Sequence, residues 1–388
     1  MNDSIELSVV MPCLNEAETL GSCIDKAKQA IAEHGIAAEI IVADNGSTDG
    51  SQELAESMGA RVVNVESRGY GSALMGGIAA ARGTYILMGD ADDSYDFSEL
   101  PRFLERIREG FDLVQGCRLP AGGGQVLAGA MPFWHRWVGN PFFSWLARKW
   151  FGVPIHDIYC GMRAFRRDAY ERWDLRCTGM EFATEMIIKS SLRRNPISEV
   201  PITLHPDGRT INKPHLKTIR DGWRTLRFFM FSCPRWLFLV PGGLLMGLGV
   251  IGYLAGYMNW TIGQVAFDLH TLLVSSLFVI LGFQSILFAA FTLIYAIQEG
   301  FLPPDPRVSW LVSKISMERG LLIGAGTFSL GILLLLRTIW VWEIGGFGEL
   351  DYQTTMPWVI PGVMLAALGF QAVLSGAFIS ILGMGRRR

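Results

Sequence analysis

The sequence predicts an α/β domain on a mostly parallel sheet, then an amphipathic interfacial segment and a four-helix transmembrane domain. Three observations carry that prediction. Short apolar, β-branched runs alternate with segments of helical spacing through the first hundred or so residues. Charged residues are dense up to about Arg235 and sparse after it. Beyond that point lie four apolar stretches, at about 236–257, 269–297, 321–342 and 357–384. Each is as long as the roughly 20 residues a helix needs to cross hydrocarbon. The 388 residues are half hydrophobic, with a formal charge of −2. Residues 1–212 are expected to form the α/β domain, 213–235 the juxtamembrane helix and 236–388 the membrane domain.

LSVVMP (7–12) reads as the first strand, and Leu20, Ile24, Ala27 and Ile31 mark the helix after it. AEIIVAD (38–44) is the second strand, and NGSTDGS offers Ser47, Thr48 and Asp49 as caps for the next helix. ARVVNV (60–65) is the third, and the glycine-rich RGYGSA leads to a helix over 72–81. TYILMGD (84–90) is the fourth. Such alternation argues for helices on both faces of the sheet, with ligands beyond the carboxyl ends of the strands. The polar residues obey that rule. Asn15 and Glu16 follow strand one, Asp44 and Asn45 end strand two, Arg68, Gly69, Tyr70 and Gly71 follow strand three, and Asp90 and Asp92 end strand four. Asp44 can accept hydrogen bonds from a base or a ribose.

GDADDSYD (89–96) carries the sharpest signal. Residues two apart on an extended chain share a side, so Asp90 and Asp92 can face one cation. Hard oxygen ligands suit Mg²⁺ or Mn²⁺, and Mg²⁺ commonly takes one or two carboxylates plus substrate phosphates.

KPHLKTIRDGWRTLRFFMFSCPRW (213–236) places Lys217, Arg220, Arg224 and Arg227 at three- and four-residue steps among Leu216, Trp223, Leu226 and Phe229. That is the pattern of a helix lying in a membrane surface; an ordinary surface helix packed on the domain is the plainer reading. The loops at 258–268 and 343–356 hold acids but no Lys or Arg. Arg307, Lys314 and Arg319 lie in the 298–320 loop, and the chain ends Arg386-Arg387-Arg388. The positive-inside rule puts that loop, both termini and the α/β domain in the cytosol of a multi-pass plasma or inner membrane protein. No secretory leader pattern opens the sequence. Arg337 falls near the outer end of the third span, where snorkelling or lipid head-group contact would place it. None of the six cysteines has C-x-x-C spacing, so free thiols are expected. Nucleic acid is not an expected partner, since the basic residues track the membrane.

The ordered set VVMPCLNEAETL, VADNGSTDGS, RGYGSALMGGIAAARG, MGDADDSYD, QGCRLP, DIYCGMRAFRRDAY and EVPITLHPDGRTINKPHL, over about residues 5–235, resembles family-2 glycosyltransferases of GT-A fold. It is most similar to those that glycosylate dolichyl or polyprenyl phosphate. The resemblance implies a UDP- or GDP-linked sugar donor, with Pro12, Asn15, Glu16, Asp44, Arg68 and Gly69 around the nucleotide. It implies Asp90 and Asp92 on the metal, Mg²⁺ or Mn²⁺. Arg118, Arg136, Arg209 and Lys213 match basic positions that meet acceptor or donor phosphates, and Asn140 stands where many relatives carry Ser beside the acceptor. Asp157, Gly161 and Arg163 would shape the donor pocket. Ser94 replaces a Gln that relatives often place beside the metal. Copies of such enzymes often associate through their spans, which implies a homo-oligomer.

The chemistry that follows is attack of a lipid phosphate oxygen on the anomeric carbon, with inversion and loss of nucleoside diphosphate. A phosphate is already anionic at neutral pH, so no base is required. His135, His156, His205 and His215 are expected at the surface or behind the ligands. Glu181 and Glu185 are expected on a helix face, and Trp134 and Trp137 at the membrane interface. Two other classes are open: a processive polysaccharide synthase and a non-enzymatic membrane adapter. The first would carry Q-x-x-R-W and a T-E-D-like triplet, absent at Arg136-Trp137 and Arg235-Trp236 and from GMEF. The intact aspartate pair argues against the second.

Overall fold

The computed structural model describes residues 5–209, 218–300, 302–304, 306 and 317–383. Lys213, His215, Leu216, Lys217, Arg307, Lys314 and Arg386–Arg388 lie outside the described residues. The chain forms two compact units, residues 1–229 and 230–388.

In the first unit, strand β1 (Leu7–Cys13) is followed by α1 (Leu20–Glu33), β2 (Ala38–Asp44), α2 (Ser51–Ser57), β3 (Arg61–Asn64), α3 (Tyr70–Ala80) and β4 (Tyr85–Met88). Then come α4 (Leu100–Arg108), β5 (Leu113–Cys117), β6 (Gln125–Val126), α5 (Asn140–Phe151) and β7 (Arg163–Arg166). The unit ends with α6 (Arg167–Trp173), α7 (Glu181–Leu192), β8 (Ile197–Pro201), β9 (Thr203–Leu204) and most of α8 (Thr218–Ser232). Seven strands make one sheet in the order β3-β2-β1-β4-β7-β5-β8. β1 pairs in parallel with β2 and β4, whereas β7 runs antiparallel to both β4 and β5. Leu7, Val9, Val10 and Met11 are buried on both faces of β1, as helices covering both sides of a parallel sheet require. α1 turns Leu20, Cys23, Ile24 and Ala27 to the core, the 3.6-residue stripe of an amphipathic helix.

β7 is the element that periodicity does not reveal. Its sequence RAFR begins and ends in arginine, yet Arg163 is wholly buried. Its guanidinium donates to the Ala183 carbonyl (2.7 Å) and the Cys160 carbonyl (2.6 Å), which answers part of its desolvation.

α8 is amphipathic as its spacing predicts, and its apolar side packs on its own unit. Phe229 is buried against Phe143, Trp150 and Phe151 of α5, with ring centroids 5.3–6.4 Å apart. Trp223 stays exposed.

Among the described residues, the second unit contains four helices long and apolar enough to cross a membrane: Arg235–Tyr257, Leu269–Gln298, Glu318–Ile344 and Tyr352–Leu382. They correspond to α9 (Val240–Tyr257) with a preceding π-turn, α10 (Leu269–Gln298), α11 (Met317–Ile344) and α12 (Tyr352–Gly383). α12 begins five residues earlier than its hydropathy suggests and runs through Pro357 and Pro361. Glycines set the close contacts. A Cβ on Gly249 would lie 2.8 Å from the Val279 nitrogen, and one on Gly331 2.4 Å from the Ala366 nitrogen. α9 and α10, and likewise α11 and α12, thus meet backbone to backbone, as small residues allow in lipid. The Arg337 guanidinium lies over the Trp358 ring, 3.5 Å from its centroid, so its charge is held by an aromatic face.

α3 is pressed onto the sheet at Gly77, where a Cβ would fall 2.6 Å from Val10 Cγ1 and 2.9 Å from Ala43 Cβ. Overpacking of this kind costs about 1–3 kcal/mol. Gly77→Ala should lower the thermal midpoint of the full chain in detergent by several degrees. An unchanged midpoint would show that α3 sits looser than described.

Candidate active site

The carboxyl ends of β1, β2 and β4, with the turn after β3, converge on one edge of the sheet, and the loops there are stitched together. Asn15 adopts a left-handed backbone (φ 58°) and its side-chain oxygen accepts from the Thr48 amide at 2.8 Å. The Asn15 and Glu16 amides donate to Ser47 Oγ (2.9 Å) and Ser51 Oγ (3.0 Å), and that of Ala17 to Asp49 (3.0 Å). Asp49 therefore braces the first loop as well as the start of α2. Asp44 is buried and accepts from the Gly46 amide (2.9 Å), the Ser47 amide (3.1 Å) and Gln52 Nε2 (2.7 Å). Its carboxylate is engaged by its own loop. Asn45 donates to the Val65 and Ser67 carbonyls and accepts from the Gly69 amide at 2.7 Å. Pro12 is half-buried on β1, and Arg68 is exposed at the rim.

Glycine is required in the RGYGSA turn. Gly69 has φ 134°, and a Cβ there would meet the Thr178 carbonyl oxygen at 2.3 Å. No L side chain fits.

The four aspartates of GDADDSYD divide into two pairs. Asp93 (φ 59°) turns to α1, where Lys26 Nζ and Ser22 Oγ donate to it at 2.8 and 3.1 Å. Asp96 caps a short helix through the Ser98 amide (3.0 Å). Asp90 and Asp92 remain at the sheet edge. Asp90 Oδ1 accepts from the Tyr70 hydroxyl at 2.8 Å. Asp92 accepts from Ser94 Oγ (2.6 Å) and from the Arg209 guanidinium (2.7 Å). Arg209 also faces Glu16 at 3.3 Å and Asp207 at 3.0 Å. Three carboxylates, Glu16, Asp92 and Asp207, thus surround the Arg209 guanidinium, while Asp90 beside them feels the buried Arg118 and Arg163.

That imbalance shows in the acids themselves. Burial pushes Glu16 up to about 7 against the pull of Arg209, with Asp92, Asp207 and Asp90 adding to the rise. Burial, then the neighbouring Asp92 charge, holds Asp90 well above the ordinary carboxylate range. Carboxylates, Asp157 included, outnumber the Arg209, Arg118 and Arg163 guanidinium groups that act on this corner. Among the described residues no three His, Cys, Asp or Glu side chains converge as a metal cage. Two all-oxygen ligands in a field short of positive charge fit a hard divalent ion completed by phosphate oxygens and water. Gly161 supports the pair, since a Cβ there would lie 2.4 Å from Asp90 Oδ2.

Arg118 and Asp157 form a separate unit behind this corner. The Arg118 Nε and second guanidinium nitrogen donate to the two Asp157 oxygens at 2.7 and 3.0 Å, and the Arg118 amide adds a third bond. Both residues are buried, so the pair is bidentate and dry. Tyr95 joins it to the corner: its hydroxyl accepts from the Gly161 amide at 2.8 Å and lies 3.4 Å from Arg118.

Arg136 lies on the π-turn His135–Gly139 before α5, its guanidinium 5.0 Å from the Trp137 ring centroid. The Asn140 side-chain Nδ2 donates to the Met131 sulfur at 3.4 Å. Glu185 is wholly buried with Lys189 (2.8 Å) and accepts from the Arg176 and Cys177 amides, which makes it structural. Glu181 lies 3.6 Å from Arg224. Of the histidines, His156 Nδ1 bonds Glu199 at 2.8 Å, and the His205 amide donates to the Ser94 carbonyl. All six cysteines are free, and burial pushes Cys13 up to about 11, far from a reactive thiolate.

The structure thus brings Glu16, Asp90, Asp92, Gly161 and Arg209 together and keeps Arg118 with Asp157. Tyr70, placed at this edge by the sequence, joins the site through Asp90, whereas Tyr95 and Asp207 belong to it although the sequence does not single them out; only their place within GDADDSYD and HPDGR marks them.

The profile of glycosyl transferase family 2 matches residues 8–173, and that of the glycosyltransferase family 2 C-terminal transmembrane region matches residues 290–383. The low-salt glycan biosynthesis hexosyltransferase Agl6 of Haloferax volcanii is 37% identical over 381 residues, 97% of this chain and 89% of that protein. A dolichyl-phosphate hexose transferase of the same organism is 36% identical over 201 residues, 51% of this chain and 82% of its own length. Among solved structures, glucosyl-3-phosphoglycerate synthase from Mycobacterium tuberculosis, in complex with Mn²⁺, UDP and glucosyl-3-phosphoglycerate, superposes with a TM-score of 0.46 at 23% identity, covering 58% of this chain and 79% of that one. With a relative matched along nearly all of both chains, sheet domain and apolar helices alike, this chain belongs to glycosyltransferase family 2 and is a membrane glycosyltransferase of that family.

Proposed function

We propose that the protein transfers a sugar from a UDP- or GDP-linked donor to a polyprenyl phosphate, with inversion, on the cytosolic side of the cell membrane. The observation that carries this reading is the acidic corner at Asp90 and Asp92, set in a family-2 chain that also has four apolar helices. The printed functions of the relatives, hexosyltransferase and dolichyl-phosphate hexose transferase, support it.

Asp90 and Asp92 would hold Mg²⁺ or Mn²⁺, which neutralises the charge that builds on the departing nucleoside diphosphate. Tyr70 and Gly161 fix the Asp90 carboxylate. Arg209, paired with Asp92 and Glu16, is placed to exchange those partners for a donor phosphate, which its planar fork suits. The loops after β1 and β2 supply the wall for the nucleotide, with Asp44 holding their shape from behind. The buried pair of Arg118 and Asp157 fixes the wall beside this corner. Since the nucleophile is an anionic phosphate oxygen, alignment and charge neutralisation are the tasks left to the protein.

Asp90→Ala and Asp92→Ala should each lower kcat by on the order of a hundredfold or more at saturating donor, since a bound metal supplies several kcal/mol of charge stabilisation. A near-wild-type rate in Asp92→Ala would refute the metal role. Chelation with EDTA should abolish radiolabel transfer from nucleotide sugar to polyprenyl phosphate, and Mg²⁺ or Mn²⁺ should restore it; chelator-resistant transfer would exclude the ion. Gly161→Ala should cut kcat comparably while the thermal midpoint holds, because the added methyl displaces Asp90 before anything else. Full activity in that variant would mean the Asp90 position is not critical.

A further inference from the structure

A buried ion pair lies in α7, outside the acidic corner. Every residue of that helix from Phe182 to Ser190 is buried, Glu185 and Lys189 among them. The two stand one turn apart, with Lys189 Nζ 2.8 Å from Glu185 Oε1. Such a pair is weak support for stability, because both groups lose their water. What distinguishes this one is the backbone it holds. Glu185 Oε2 accepts from the Arg176 amide at 2.9 Å and from the Cys177 amide at 2.8 Å. Lys189 Nζ donates to the carbonyl of Asp174 at 2.5 Å, at a residue whose φ is 49°. Both ends of the turn 174–177 are thus fixed by charge-assisted hydrogen bonds, which are the strong ones.

The next residues lead to the site. The Thr178 carbonyl accepts from the Ser72 amide at 3.1 Å, in the first turn of α3. A first-turn amide has no carbonyl of its own helix to reach. Gly69, at the start of α3, offers no side chain to it, and Thr178 takes that place. The fit is close. A Cβ on Gly71 would lie 2.4 Å from the Cys177 carbonyl oxygen and 2.8 Å from Phe182 Cβ. With Gly69 also pressed on Thr178, the loop and the RGYGSA turn cannot shift independently. Tyr70 lies between those two glycines, and its hydroxyl donates to Asp90. A continuous run of hydrogen bonds and close contacts therefore joins Glu185 to one carboxylate of the corner. Asp92 is held by a different route, through Ser94 and Arg209. Structural though the α7 pair is, it stands behind the orientation of Asp90.

We propose that Glu185, with Lys189, is a positioning residue for the metal corner: through the 174–178 loop and the RGYGSA turn it sets the Tyr70 hydroxyl on Asp90. The assignment rests on the metal reading above and does not require sugar transfer. A route of this kind is established by coupling between its two ends.

The full chain in nanodiscs is titrated with Mn²⁺ in the presence of UDP and, separately, of GDP, with free ion followed by electron paramagnetic resonance. Glu185→Gln removes the charge, and Glu185→Asp keeps it but draws the oxygens back; each is also combined with Tyr70→Phe. Either change alone should weaken Mn²⁺ binding about fivefold, a size usual for coupled neighbours. In the Tyr70→Phe background the same changes should alter it by less than about twofold. In metal-free protein, amide exchange should speed up over residues 69–73 in both variants and hold its rate over 100–108. In turnover, the Mn²⁺ needed for half-maximal rate should rise in the same ratio while acceptor KM holds.

Unchanged Mn²⁺ affinity in both variants would overturn the proposal. So would an equal loss with and without the Tyr70 hydroxyl, which would make the pair a general prop of the fold. If neither variant folds, the pair serves folding alone and the positioning role is likewise overturned. Absence of Mn²⁺ binding by wild type would remove the metal reading and this assignment together. Coupled Mn²⁺ binding without transfer of sugar to polyprenyl phosphate would sink the sugar-transfer reading and leave the positioning role standing.

Discussion

The structure of the first unit is organised around a shortage of positive charge. Four carboxylates meet at the ends of β1 and β4 and beside the strand pair β6–β9; Arg209 pairs with three of them, and Asp90 is left to the buried Arg163 and to Arg118, which Asp157 already holds. Like charges in a partly desolvated corner repel strongly, so the backbone around them must be held from outside. That is what the surrounding sequence does. Ser47, Ser51 and Asp49 tie the first two loops together, Asn45 ties the third, and Tyr70 reaches across to Asp90. The corner is pre-formed by contacts among the protein's own groups.

Much of this was legible in the sequence. The span 38–44 is a strand from its first residue to its last, and the polar residues gather at one sheet edge because every parallel strand ends there. The four apolar helices followed from hydropathy alone. What escaped has physical reasons. β7 hides behind terminal arginines, and the burial of Arg163 depends on carbonyls twenty residues away or close by in a loop. The Arg118–Asp157 pair joins residues 39 apart, and no local pattern announces it. Asp44 ends its strand as read, and its hydrogen bonds to the loop that follows are set by residues two to eight positions on, which the strand pattern does not show. Asp93 and Asp96 look like Asp90 and Asp92 in sequence; only the left-handed turn at Asp93 separates the pairs.

The interfacial segment shows how one pattern can serve two surfaces. The spacing of Leu226 and Phe229 predicts an apolar face, and α5 receives it through Phe143, Trp150 and Phe151. The aromatic residues left facing outward are instead Phe133, Trp134, Trp137, Phe142 and Trp145, with Trp223 on α8. Periodicity identifies an amphipathic helix, but which partner covers it is decided by tertiary packing.

The glycine seams of the second unit bear on how the chain is made. α9 with α10, and α11 with α12, are neighbours in sequence, so each hairpin closes over a short loop and loses little chain entropy in doing so. Contacts so local form early, and synthesis proceeds from the N-terminus. The α9–α10 pair can therefore zip shut as soon as α10 leaves the ribosome, before α11 and α12 exist. The later seam, where Phe291 of α10 meets Phe378 of α12, then has only to join two finished halves.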